Sequence, residues 1–410
     1  MQKLKNTKMI LMILILMISC SHDENSTSQT DTENAAIPIP EKTYAIVDTG
    51  VTDFYSNTAI ISTPQAGEAF FGQDATYKGN DPSYTDNGDG TVTDNVTGLM
   101  WEKNMGTKIT FDEGVTKADN SILGGHTDWR VPTIKELYSL ILFTGSVKGE
   151  GAIEKFIDTD YFEQPLGDTS NGEREIDAQT WSSTEYVGVT MQADATVFGV
   201  NFIDGRIKGY PKYKPGSGTS NKMYFRMVRG NPAYGKNNFV DNENGTISDL
   251  STGLMWQKAD AGNALNWEEA LSYAENLELI NKNDWRLPNA KELQSIVDYS
   301  RSPQTTGTPA IDPVFQTTEI TDSEGNAGHY PFFWTGTTHL DGVNPYVSAV
   351  YVAFGEGKGK MNGVLMDVHG AGCQRSDPKS GNINEYPQFF GPQGDVRYVY
   401  NYVRCVRTIE

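Results

Sequence analysis

Residues 126–141 read HTDWRVPTIKELYSLI, and residues 282–297 read KNDWRLPNAKELQSIV. Proline restricts the residue before it to extended backbone, so Val131 and Leu287 end a short strand-like Trp-Arg run. Thr133 or Asn289, followed three residues later by Glu136 or Glu292, is the arrangement in which two side chains cap each other's backbone N–H at a helix start. Leu137, Leu140 and Ile141, like Leu293, Ile296 and Val297, then recur at helical spacing and supply one buried stripe. The chain therefore turns sharply from strand into helix, and it does so twice.

Upstream, residues 85–103 (TDNGDGTVTDNVTGLMWEK) and 240–258 (VDNENGTISDLSTGLMWQK) repeat as well. Solenoid units recur every few tens of residues; this period has the size of a domain, which implies that a whole domain was duplicated. Asp89-Gly90 and Asn244-Gly245 are tight-turn dipeptides followed by alternating Thr-Val-Thr and Thr-Ile-Ser, which predicts a hairpin. Leu-Met-Trp then forms a short apolar strand in which Trp101 or Trp256 is expected to be core. Between this strand and the DWR motif, Thr110 with Glu113 and Asn266 with Glu269 predict a first helix. Trp267, Ala270, Leu271, Ala274 and Leu277 give the second copy a clear apolar face, whereas Gly114 weakens the first copy's helix.

Downstream, each copy becomes loop-rich and then strand-like. Trp181-Ser-Ser-Thr matches Trp334-Thr-Gly-Thr, and Val200 to Gly205 matches Val352 to Gly357, an alternation that ends in a glycine turn. FRMVR at 225–229 and VRCVR at 403–407 close the copies. Opening and closing strands this short are barely stable unless they pair and lie against the helices. Pairing them would bring the ends of a copy together, which suits tandem duplication through a short link at residues 230–235.

The motifs DNGDGTVTDNVTGLMWEK, DWRVPT with its following Glu-Leu, and the final VRCVR together resemble the DUF1566 family, that of the C-terminal domain of the Legionella collagen-like adhesin. The resemblance covers both copies, from about Tyr44 to Glu410, and the WR-Pro-Glu-Leu and VRCVR elements are also similar to the wider C-type lectin-like group. It implies an α+β fold of two tandem C-type lectin-like domains. Each would have two helices, a small antiparallel sheet joining first and last strands, and long loops on a binding face. The domains are placed at 44–230 and 231–410.

Residues 1–20 carry three lysines and then an apolar run from Met9 to Ile18, too short to span a bilayer but of the length of a secretory core. Met17-Ile18-Ser19-Cys20 resembles a bacterial lipobox, which makes Cys20 the expected lipidation site. Residues 21–43 are polar and acidic and read as a flexible linker. The acidic start of that linker is similar to surface-export signals of Bacteroidetes lipoproteins, although such runs are more often only solvated linker; the expected location is the cell envelope, lipid-anchored at the outer membrane, with surface-facing and periplasmic orientations both open.

The net charge of −20 argues against nucleic acid and disfavours anionic membranes and sulfated polysaccharides as general electrostatic partners. Cys373 and Cys405 are an even pair in a compartment that tolerates disulfides. A bridge between them is the favoured reading, worth roughly 3 to 4 kcal/mol in the chain-entropy view; two buried thiols are the alternative. By resemblance they match the pair that pins the final strand, and not the reactive pair of the formylglycine-generating relatives.

The residues bear on three kinds of chemistry. No Gly-x-Ser-x-Gly, His-Glu-x-x-His or glycine-rich phosphate loop is present, so no catalytic constellation is recognisable. Asp86, Asn87, Asp89 and Asp94 offer oxygen ligands for calcium, and the second copy has Asp241, Asn242, Asn244 and Asp249 in their places. Asp and Asn also shape turns for backbone reasons, the favoured reading, and the sugar-coordinating triplets of calcium-type lectins are absent. Finally, TTHLDG at 337–342 and MDVHGAGCQRSDPKSG at 366–381 gather His339, Asp341, Asp367, His369, Arg375, Asp377 and Lys379 in loop-rich chain. Convergence would make a ligand or transition-metal site; mutual hydrogen bonding within the loops is the favoured reading.

The resulting expectation is a lipid-anchored envelope binding or adhesion module, non-catalytic, that recognises a glycan or matrix component. An enzyme or maturation factor using the His/Asp loop of the second copy is the rival, and a structural envelope protein is the third reading.

Overall fold

The computed structural model describes residues 42–149, 151–191, 193–214 and 216–409. The leader, Cys20 and nearly all of the expected linker lie outside the described residues. A leading segment comes first, with the two-residue strands β1 (Phe54–Tyr55) and β2 (Ile60–Ile61) paired antiparallel.

In the first copy, β3 (Tyr84–Asp86) and β4 (Thr91–Asp94) form the expected hairpin, and Gly90, with φ +88°, takes the left-handed turn that its Asp-Gly dipeptide signals. β5 (Leu99–Glu102), α1 (Phe111–Asp119) and α2 (Ile134–Tyr138) follow. A small pair, β6 (Ser146–Val147) and β7 (Ile153–Glu154), precedes β8 (Gln179–Glu185), β9 (Thr196–Asn201), β10 (Arg206–Pro211) and the closing β11 (Val228–Gly230).

The second copy repeats this plan with β12 (Phe239–Asp241), β13 (Thr246–Asp249), β14 (Leu254–Gln257), α3 (Trp267–Glu275) and α4 (Ala290–Ser295). It adds α5 (Pro303–Thr306), then β15 (Phe332–His339) and β16 (Ser348–Ala353). A further lobe is built from β17 (Lys358–Met361), β18 (Val364–Asp367), β20 (Phe389–Phe390) and β21 (Asp395–Val396), interrupted by β19 (Gln374–Pro378). β22 (Val406–Thr408) ends the chain's last sheet.

Each copy stitches its start to its end: β11 pairs β5 and β22 pairs β14, both antiparallel, in four-stranded sheets. The copies are nevertheless not closed on themselves. One six-stranded sheet runs β15-β16-β19-β10-β9-β8, with Ile207 opposite Gln374 at the seam. The largest apolar cluster likewise draws on both copies, with Leu137, Ile141, Phe198 and Val200 beside Leu293, Ile296, Val350 and Val352.

Reciprocal contacts accompany the shared sheet. Lys135 Nζ donates to the Ser295 carbonyl at 2.6 Å, and its counterpart Lys291 donates to the Ser139 carbonyl at 2.9 Å. Each lysine thus satisfies carbonyl groups that the other copy's short helix leaves open at its C-terminal end. Residue i contacting j while the counterpart of j contacts that of i is the pattern of an isologous interface, here within one chain.

The repeated motif is largely a structural lattice. In all four main helices both halves of the capping box are present. Arg130 and Arg286 pair with Glu136 and Glu292, each at 2.6 Å. Arg229 and Arg407 bond Asp128 and Asp284 of the DWR triplets. The first arginines of the closing motifs are fully buried: Arg226 donates to the carbonyls of Glu102, Lys103 and Glu163, and Arg404 to those of Gln257, Lys258 and Gln316. Trp101 and Trp256 are fully buried, as expected of core residues.

Two expectations require correction. Cys373 and Cys405 are free thiols, both buried in one apolar cluster, and burial pushes both far above the ordinary thiol range. The final strand is pinned by β14, by the Arg404 carbonyl bonds and by Arg407 rather than by a bridge. The first helix of the first copy is also not weaker in extent, since α1 and α3 are both nine residues long. Gly114 packs under Phe225, whose ring carbon would lie 3.0 Å from an added Cβ. The second copy has Ala270 and Val403 in these places, so a smaller helix residue is matched to a larger strand residue.

Candidate functional site

The loop residues singled out in the sequence divide between a buried layer and the wall of a cleft. His339, Asp367, His369 and Asp377 are all buried. His339 Nε2 faces the Asp204 carbonyl at 2.9 Å, which can only accept, so that nitrogen donates and Nδ1 accepts from Ser376 Oγ at 2.7 Å. Burial, reinforced by Arg206, lowers this imidazole to about 4 and keeps it neutral. Asp367 accepts from the Tyr186 hydroxyl at 2.7 Å and from the Gly370 N–H at 2.8 Å, and burial pushes it up to about 7.

His369 and Asp377 are similarly engaged. His369 Nε2 lies 2.6 Å from Asp395 Oδ1 and also abuts Arg375, and burial followed by that guanidinium lowers it to about 3. Arg375 meets the other Asp395 oxygen at 2.7 Å, which helps hold Asp395 well below the usual carboxylate range. Asp377 accepts from Asn401 Nδ2 at 3.2 Å and is pushed up to about 7 by burial. Lys379 is fully buried, donates to the Ser56 carbonyl at 3.0 Å and lies 4.1 Å from the Trp267 ring centre; burial takes its amine well below the ordinary lysine range. His339 and His369 thus occupy separate hydrogen-bonded sets.

Asp341, Arg375 and Asp377 do share one feature, a cleft of about 300 Å³ where the extra lobe of the second copy meets β10 of the first. Its floor carries Arg206, which pairs with Asp341 and, at 3.2 Å, with Asp204. Its rim carries Phe390 and Val343, 50% and 91% exposed, values that set them apart from the buried apolar residues of the same lobe. Arg397 lies 3.8 Å from the Phe390 ring centre and 5.6 Å from that of Tyr386. Among the described residues the Arg397 guanidinium forms no ion pair, unlike Arg206 and Arg375 beside it. Among the described residues the first copy has no sheet equivalent to that of the lobe.

The sequence reading missed Arg206, Tyr386, Phe390, Asp395 and Arg397. Arg206 belongs to the other copy, and only the seam between β10 and β19 brings it there. A signal did exist for the rim: Phe389-Phe390 is an aromatic pair inside the polar run 380–395, where an ordinary loop has no use for two aromatic rings.

The Lcl C-terminal domain family matches residues 90–229 and 245–368, more than half of the chain in two tandem stretches. The chain belongs to the Lcl C-terminal domain family. No curated protein and no solved structure matches it. The two Lcl C-terminal matches begin at the hairpin turns, Gly90 and Gly245, and contain the second strand of each hairpin, the DWR motifs and the paired helices. The leading segment and most of the lobe that forms the cleft, from residue 369 onward, fall outside them.

The acidic turns of the two Lcl C-terminal copies are engaged by their own backbone. Asp86 pairs with Lys103 at 2.6 Å and accepts from the Gly88 N–H, and Asp89 accepts from the Thr91 N–H and hydroxyl. Asp94 is buried and accepts from the N–H groups of Val96 and Thr97. In the second copy Asp241 pairs with Lys258 and Asp249 accepts from Asn237, Asn238 and Thr252. Among the described residues no group of three or more His, Cys, Asp or Glu side chains is placed to hold a metal ion.

Proposed function

We propose that this chain is a non-catalytic binding module of the bacterial cell envelope, held there through a lipid on Cys20, and that the cleft beside Arg397 takes a glycan or matrix component. The observation that carries this reading is the exposed Phe390 ring with the unpaired Arg397 guanidinium stacked on it. Pockets that fix ligands combine apolar and aromatic surface with a few polar groups, and a flat ring with an adjacent planar donor suits the apolar face and hydroxyl rim of a sugar. Ion-paired Arg206 and Arg375 hold the floor rigid, so ligand binding needs little ordering there. Family membership supports an envelope setting. A C-type lectin-like arrangement is consistent with the opening and closing strands of each copy lying in one four-stranded sheet. Among the described residues no helix is long and apolar enough to cross a membrane.

Against the enzyme reading, His339 and His369 are both buried, with both His339 nitrogens and His369 Nε2 already hydrogen-bonded. The test is a glycan array and a matrix-protein panel, each with and without calcium, followed by titration of the best hit into Arg397→Ala and Phe390→Ala. Either change is expected to weaken binding about tenfold, the loss of one stacked or charge-assisted contact. A ligand whose affinity is indifferent to both substitutions, or the absence of any ligand, would overturn the reading.

A further inference from the structure

The grooves over α2 and α4 are counterparts, yet only one is filled. In the second copy, residues 72–80 of the leading segment cross the groove. Asp74 Oδ2 accepts from the Thr337 hydroxyl at 2.6 Å, while the Tyr77 ring lies 5.3 Å from the Arg286 guanidinium and its hydroxyl donates to Glu275. Gly336 lies beneath this pass, and a Cβ there would come within 3.1 Å of the Asp74 nitrogen. What remains of the groove is a cavity of about 270 Å³ walled partly by the leading segment itself.

In the first copy the receiving residues are present and the occupant is missing. Thr184 accepts from the Ile134 N–H at 3.0 Å just as Thr337 accepts from the Ala290 N–H at 3.0 Å, but among the described residues the Thr184 hydroxyl donates to no carboxylate. Arg130 pairs with Glu136 as Arg286 does with Glu292, yet its side chain is 32% exposed against 14%, because no ring covers it. Ser183, exposed, stands where Gly336 is buried. These residues line a groove of about 620 Å³, completed by an apolar wall that includes Phe239, Val297 and Tyr299.

We propose that this open groove is a docking site for a peptide segment of a protein partner that carries a carboxylate and an aromatic ring three residues apart, as Asp74 and Tyr77 do. The carboxylate accepts from Thr184, and the ring covers Arg130, contacts that the fold already makes once with its own chain. This chain's leading segment is committed to the second copy and leaves the first copy's groove to an outside partner. Ser183 in place of glycine sets the partner backbone slightly farther out.

The test titrates a synthetic peptide of residues 72–80, GQDATYKGN, into the full chain by calorimetry. Saturable binding at one peptide per chain is expected. An Asp-to-Asn or a Tyr-to-Ala change within the peptide should weaken it about tenfold, the loss of one charge-assisted hydrogen bond or one stacked cation. Because those changes are in the peptide, the fold of the protein is untouched. Ser183→Trp on the protein, at an exposed position, should abolish binding by filling the groove. No saturation at ~1 mM peptide, or binding that persists in Ser183→Trp, would overturn the proposal.

Discussion

Asp74 shows how one buried carboxyl links three parts of the chain. It accepts from Thr49 of the leading segment at 2.9 Å and from Thr337 of the second copy at 2.6 Å, and burial pushes it up to about 7 from an ordinary 3.8. Between roughly pH 4 and 7 the folded chain therefore keeps a proton that the unfolded chain has released. The contribution is fully present below the unfolded value and is lost as pH rises through about 7. Asp367 and Asp377, both pushed up to about 7, act in the same direction, whereas depressed Asp395 acts in the opposite one at low pH. Asp74→Asn keeps an oxygen for both hydroxyls and removes the titration. Urea midpoints at pH 5 and pH 8 should show the wild type losing on the order of 1 to 4 kcal/mol more than the variant across that interval. Equal losses in the two proteins would remove Asp74 as the source.

At the scale of elements, the short helices depend on their ends. α2 spans five residues and α4 six, too few for propagation to offset nucleation, so caps and packing hold them. Thr133→Ala and Asn289→Ala should each cost about 1 kcal/mol or somewhat more in thermal denaturation, the ordinary cost of a lost N-cap. A change within error for both would mean that packing alone fixes these helices. The caps were legible in sequence because Thr or Asn three residues before Glu is a local code. The path of residues 42–80 was not. Its attachments, Thr43 to Ser251, Asp48 to Lys291 and Tyr77 to Glu275, join residues far apart in the chain and follow no periodic pattern.

For the whole molecule, the shared sheet and the lysine exchange make the two copies interdependent. Without the second copy, β10 would present an unpaired edge and the apolar residues of α2 would lose their partners, a template for pairing with another chain. A chain ending at residue 235 is expected to self-associate through that edge and run as a dimer or larger by light scattering. A stable monomer with native helix content would show that the seam is dispensable. In the intact chain, calorimetry should give one cooperative transition rather than two, since the largest apolar cluster belongs to both copies.

Turn dipeptides, capping pairs, apolar spacing and the repeat itself were enough to determine the hairpins, the paired helices and the joining of each copy's opening and closing strands in one sheet. These features rest on interactions within a few residues, or on strands whose apolar faces leave few alternatives. The cleft and the two unlike grooves were decided only by tertiary structure. Arg206 reaches Asp341 across the seam, Arg397 finds Phe390 within an added lobe, and Asp74 crosses to Thr337. Each such contact depends on the register of one β10–β19 pairing and on long-range burial, and no local stretch of sequence encodes either.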